Sequence, residues 1–136
     1  MVISETAVLI TGSEFFNRDE LQCRCGRCGQ RCEMDERFLE RLDDLRRQFG
    51  GPLYLSSGFR CVDHDRAVST SSNAGAGPHT TGKAVDILIS RGKAYRLLEL
   101  ALGLKFTGIG VNQKGSGRFI HVDTISEGLR PTVWSY

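Results

Sequence analysis

The chain has 136 residues, 18 basic and 16 acidic side chains for a net charge of +2, and 40% hydrophobic residues. That length can bury one core, so a single domain over residues 1–136 is expected, and a monomer. The small net charge argues against nucleic acid as a partner, and no apolar run approaches the ~20 residues of a membrane span.

Met1 to Ile10 lacks a basic leader and is broken by Glu5, which makes it a poor signal peptide. Synthesis in the cytoplasm is expected, with any work outside depending on another route of release. Residues 1–22 read as extended or loosely folded, with Phe15 and Phe16 as anchors to the core. Cys23, Cys25, Cys28 and Cys32 then crowd together in residues 23–32, while Cys61 stands alone. The spacing leaves three readings open: a structural zinc held by those four, a disulfide that could reach Cys61, or reduced thiols.

From Asp35 the pattern changes. Phe38, Leu42, Leu45 and Phe49 recur at spacings of four, three and four, predicting one apolar helix face. Arg37, Glu40, Arg41, Asp44 and Arg47 form its solvated side, and Gly50-Gly51-Pro52 stops it. Leu53 to Ser56 reads as a strand turning at Ser57-Gly58, and Val62 to Val68 as a short helix. Residues 69–78 form a loop of small residues on the rim of a cleft. Ala84 to Ile89 is a strand, and Lys93 to Leu102 a helix that buries Tyr95, Leu98 and Leu102. Phe106 to Val111 and Phe119 to Val122 are further strands, joined by a turn at Gly115 to Gly117, and Arg130 to Tyr136 is an extended tail. This order predicts a small α+β domain with a mainly antiparallel sheet flanked by helices.

Chemistry concentrates around Gly77 to Asp86. His79 ends a loop, Gly82 makes a tight turn, and Asp86 lies in the strand that follows. Such a hairpin can bring an imidazole and a carboxylate to one cation, and His121 is the best third donor. Two histidines and an aspartate, with a position left for water, describe a catalytic zinc site better than a structural one.

Three motifs carry a resemblance: Ser56-Ser-Gly-Phe-Arg60-Cys61, His79-x2-Gly82-x-Ala84-x-Asp86, and Phe119-Ile-His121-Val-Asp123. Together they resemble the zinc D-alanyl-D-alanine carboxypeptidase family of metallopeptidases, family M15. That family includes phage peptidoglycan endopeptidases and shares its fold with the hedgehog signalling domain. The resemblance runs from about residue 35 to the C-terminus. Gly77 to Asp86 and Thr107 to Val111 are similar to a small single-domain branch of bacteria and their phages.

The resemblance implies that His79, Asp86 and His121 bind zinc and that Arg60 grips a substrate carboxylate. Otherwise Arg60 forms an ion pair with Asp63 or Asp65. It also implies hydrolysis of a peptide bond in peptidoglycan stem peptides, by a carboxypeptidase or an endopeptidase acting on the cell wall after phage-mediated release. Two positions depart from the family. Arg118 stands where many members carry an acidic general base, so Asp123 either replaces that base or orients a ligand. Gly77 stands where a serine is frequent, so one substrate hydrogen bond is either missing or supplied by Ser71 or Ser72. His64 either reaches the cleft or packs on its helix, and Trp134 either walls the groove or plugs the core. The rival functions are a non-catalytic zinc domain and a phage-particle attachment module built on the cysteine segment.

Overall fold

The computed structural model describes residues 12–69 and 75–136. The expectations for Met1 to Ile10 and for Ser71 and Ser72 lie outside the described residues.

Four α-helices and five strands follow one another among the described residues. Helix α1 is a single turn, Arg18–Leu21, inside a stretch expected to be extended or loosely folded. Its signal is a capping box. The Asn17 side chain accepts from the Glu20 amide while the Glu20 carboxylate accepts from the Asn17 amide, which satisfies two end donors at once. Helix α2, Glu36–Phe49, starts where Asp35 accepts from the Phe38 amide and stops at Gly50 in a left-handed conformation. It buries Phe38, Leu42, Leu45 and Phe49, as the spacing predicts, and Leu39 beside them. Asp43 is buried on the same helix. Its carboxylate accepts from the Ser13 hydroxyl at 2.7 Å and the Glu14 amide at 2.8 Å. A helix carboxylate thereby pins the N-terminal segment that seats Phe16 in the core.

Strand β1 is Tyr54–Ser57, helix α3 is Val62–Val68, and a 3-10 turn covers Pro78–Thr81. Strand β2 is Ala84–Leu88, helix α4 Arg91–Gly103, strand β3 Gly108–Asn112, strand β4 Phe119–Asp123 and strand β5 Thr132–Ser135. The sheet order is β1-β2-β4-β3-β5, antiparallel throughout except that β5 runs parallel to β3. The extended tail is thus a strand. The α+β class with a mainly antiparallel sheet stands.

Alternation along the strands separates two faces. Val85, Ile87, Ile109, Ile120 and Val122 join α2 and α4 in the main core. Asp86, His121 and Asp123 lie on the opposite face.

The buried side of α4 differs from expectation. Ala94, Leu97 and Ala101 face the core, whereas Tyr95 is 76% exposed and Leu102 56% exposed. This helix carries apolar residues nearly all round, so its periodicity is weak. Packing decides its rotation, since two alanines seven residues apart let it lie close against its neighbours. Arg96 secures the same side by donating to the Phe49 carbonyl at 2.6 Å.

Candidate metal centre and cleft

Strand register assembles the site. Asp86 on β2 stands directly opposite His121 on β4, and His121 stands opposite Gly110 on β3, which pairs in turn with Trp134 on β5. His79 arrives from the 3-10 turn. That turn is held where the His79 carbonyl accepts from the Arg60 amide and the Thr80 hydroxyl donates to the Gly77 carbonyl. Gly82 closes it at φ 74°, where any side chain would run into the Glu33 carbonyl.

His79, Asp86 and His121 are all buried, and each offers a donor atom within 4.8 Å of the others. His79 Nε2 is 3.3 Å from Asp86 Oδ1, and His121 Nδ1 is 3.0 Å from the same oxygen. The opposite ring nitrogens define the tautomers. His79 Nδ1 lies 2.8 Å from the Gly58 carbonyl, which can only accept, so that nitrogen carries the proton. His121 Nε2 lies 2.8 Å from Asp123 Oδ2 and donates to it. In the neutral rings, the lone pairs of His79 Nε2 and His121 Nδ1 therefore converge on one carboxylate oxygen. Three acceptors facing each other in a buried pocket need a cation or extra protons between them.

The electrostatics follow from this crowding. Burial alone would raise the Asp86 carboxyl, but the hydrogen bonds and positive charge that His121 and His79 supply when their near nitrogens also carry protons outweigh it and hold it well below the usual carboxylate range. Burial would lower His121, yet its bonds to Asp123 and Asp86 raise it overall. Asp123 is lowered: His121 and the Arg130 guanidinium overcome its burial.

Asp123 is fully buried behind His121, and both its oxygens are engaged. Arg130 forms a two-pronged pair with it at 3.0 and 2.8 Å, and the Ile125 amide donates to Oδ1 at 3.3 Å. Gly108 and Gly110 make room for this layer. A side chain at Gly108 would strike the Asp123 carboxylate, and one at Gly110 would strike Trp134 and Tyr136. Trp134 can thus lie over His121, ring centroids 5.1 Å apart, with the Arg130 guanidinium over its own ring at 5.0 Å. It covers a buried histidine and also lines the cleft.

The cleft measures about 850 Å³. His79, Asp86 and Arg60 line it, and Phe119, Trp134 and Tyr136 supply aromatic surface. Asp65 and Asp86 are the carboxylates among its described lining residues. Arg60 pairs with Asp65 at 3.2 Å, bonds the Ser57 hydroxyl at 3.1 Å and approaches Asp86 Oδ2 at 3.5 Å. Asp65 is itself held by the amides of Gly75 and Gly77. Arg118 bonds the Gly115 carbonyl in the β3–β4 turn, outside the cleft lining.

His64 lines a separate pocket with Cys25, Cys28 and Cys61. The cysteine grouping also differs from expectation. The sulfurs that gather are those of Cys23, Cys25, Cys28 and Cys61, whereas Cys32 packs against the main core. The Phe59 amide bonds the Leu21 carbonyl at 2.8 Å and the Cys61 amide bonds the Cys23 sulfur, so residues 59–61 lie along residues 21–23. Proximity along the chain favoured Cys32; proximity in space selects Cys61. Arg130, Tyr136 and the two strand glycines are the other site residues that spacing alone did not single out as a set.

The described residues thus form a small α+β domain with an open cleft over a buried histidine–carboxylate cluster. The family model described as Peptidase M15 matches residues 14–123, most of the chain, and the protein belongs to this family of metallopeptidases. Peptidases of this family are zinc-dependent, which the nitrogen and carboxylate donors of the cluster suit. No curated protein and no solved structure gave a significant match. No helix among the described residues is long and apolar enough to cross a membrane.

Proposed function

We propose that the protein is a zinc peptidase that cleaves stem peptides of peptidoglycan, with His79 Nε2, Asp86 and His121 Nδ1 holding the ion. The observation that carries this reading is the convergence of two imidazole lone pairs on one carboxylate oxygen. Donors about 2.0–2.1 Å from a tetrahedral zinc lie about 3.3–3.4 Å apart, close to the separations of 3.3 and 3.0 Å found here. When bound, the ion polarises the scissile carbonyl and acidifies a water molecule.

The chain's own groups do the rest. The Gly58 carbonyl and Asp123 each keep a proton on the far nitrogen of a histidine, leaving the near nitrogen free to donate. With both oxygens occupied, Asp123 orients His121; it does not move protons. Asp65 and Ser57 brace Arg60 at the cleft edge, where its fork can take a carboxylate of the substrate. The Asp65 pair thus positions the arginine without excluding it from binding. Trp134 and Tyr136, their rings inclined at 65° to each other, offer aromatic surface to the peptide. Such an enzyme works on the cell wall.

A second reading, a zinc domain that binds wall peptides without cutting them, is favoured by one observation. Arg118 replaces the usual acid, and both carboxylates lining the cleft are already engaged. Incubating the zinc-loaded protein with a stem pentapeptide ending in D-alanyl-D-alanine, and with cross-linked dimers, decides between them by mass spectrometry. Loss of one terminal residue marks a carboxypeptidase, and cleavage of the cross-link an endopeptidase. Arg60→Lys keeps the charge but loses the fork, and KM is expected to rise about 10- to 100-fold, in line with a charged hydrogen bond of about 1.5–3 kcal/mol. Zinc bound at the cleft with no product from either substrate supports the binding domain.

A further inference from the structure

We propose that Cys23, Cys25, Cys28 and Cys61 form a second metal centre, a tetrathiolate zinc site separate from the cleft. The four sulfurs all lie within 4.8 Å of one another, and those of Cys25 and Cys61 are 3.8 Å apart. A tetrahedral zinc with Zn–S bonds of about 2.3 Å has sulfur–sulfur edges of about 3.8 Å. Disulfides would divide the four into two bonded pairs at about 2.05 Å; one mutual cluster is the arrangement a single ion requires.

Hydrogen-bond donors reach the sulfurs, although burial pushes the Cys23 thiol up to about 11. Backbone amides donate to three of the sulfurs: Arg27 to Cys25 at 3.3 Å, Cys61 to Cys23 at 3.3 Å, and His64 to Cys61 at 3.4 Å. Arg27 lines the adjoining pocket, where it can offset part of the negative charge that four thiolates retain around a divalent ion, while Arg31 beside it is paired with Glu33. Cys23 and Cys61 are buried while Cys25 and Cys28 are half-buried, so the cluster has a dry base and an open side for entry.

The local fold has reason to need the ion. Residues 23–33 contain no helix or strand. Apart from Cys32, which packs against the main core, they share a small cluster of Cys23, Phe59 and Cys61 with Cys25, Cys28 and Met34 against it. So small a nucleus cannot order an irregular segment by burial alone, whereas metal binding adds its free energy directly to folding. Cys61 immediately follows Arg60 and caps α3, so the ion would also tie the arginine-bearing segment to the N-terminal strap.

Cobalt(II) reconstitution of the reduced full-length chain, with zinc counted by native mass spectrometry, tests the proposal without reference to activity. Wild type is expected to bind two zinc ions and His79→Ala one, and the cobalt-loaded His79→Ala protein should keep an intense thiolate-to-cobalt absorption. Cys28→Ser and Cys61→Ser should each lose that band and one zinc, while Cys32→Ser keeps both. Cys28→His, at a half-buried ligand position, should retain the ion with a shifted band, which separates ligand loss from misfolding. Absence of the thiolate band in reduced His79→Ala would overturn the proposal. So would loss of the band in Cys32→Ser, or resistance of the four thiols to alkylation in metal-free, unreduced protein denatured in guanidinium. The peptidase reading can fail with none of these results changed.

Discussion

Asp86→Asn is expected to abolish stem-peptide hydrolysis and to weaken zinc binding at the cleft at least 100-fold without unfolding the metal-free protein. The reason lies in what surrounds each oxygen. Oδ1 faces the lone pairs of His79 and His121, and Oδ2 faces Arg60. An asparagine can turn its amide nitrogen toward the two histidines and its oxygen toward the arginine, satisfying all three without a cation. The loss of an anionic donor exceeds the 10- to 100-fold effect typical of an outer partner. Metal-free Asp86→Asn should therefore melt no lower than metal-free wild type, while added zinc raises the melting temperature of wild type much more than that of the variant. A variant that kept stoichiometric zinc at the cleft and wild-type turnover would remove Asp86 from the site.

Asp123→Asn should act in the opposite sense on the fold. This carboxylate is fully buried and shared by Arg130 and His121, so neutralising it leaves a guanidinium without its partner. Breaking a buried pair on one side costs about 3–5 kcal/mol, and the slight exposure of Arg130 favours the lower figure. Zinc affinity should fall about 10- to 100-fold because His121 loses the group that sets its tautomer. The pH dependence follows from the lowered pKa. The contribution of Asp123 to stability is complete above the ordinary carboxylate value of about 3.9 and is lost as pH falls through its lower folded value. The variant should lack this part of the acid-side decline in chemical denaturation. Were Asp123 the proton acceptor of the reaction, the substitution would erase the acid limb of the rate profile and leave zinc affinity unchanged, which would overturn the orienting role.

Much of this architecture could be read from local pattern. The four-three-four spacing of Phe38 to Phe49 required one helix face, and the alternation around Asp86 and His121 put both side chains on one side of a sheet. Their convergence with His79 followed from turn chemistry at Gly82. What escaped depends on contacts between distant segments. Gly108 and Gly110 look like weak points in a strand, and only the neighbouring carboxylate and indole show why a side chain is excluded. Asp43 looks like another solvated helix charge until the N-terminal segment folds over it. Helix α4 is apolar on too many sides for periodicity to choose between faces. Cys61 is separated from the other thiols by more than a helix and a strand, a distance that spacing rules do not span.

The last strand has a kinetic consequence. Among the described residues β5 lies at the sheet edge and pairs only with β3, and it leaves Thr132, Val133 and Ser135 exposed. Such an element opens more readily than a central strand, often without the rest of the domain. Yet Trp134 covers His121, and Arg130, just before the strand, holds Asp123. Each opening of β5 therefore loosens the back of a histidine that would hold the ion, and by reciprocity the bound ion must hold β5 closed. Zinc should slow amide hydrogen exchange at Thr132 and Tyr136, whose amides bond the carbonyls of Thr107 and Val111. Metal affinity at the cleft and the opening free energy of the edge strand are then two measures of one equilibrium.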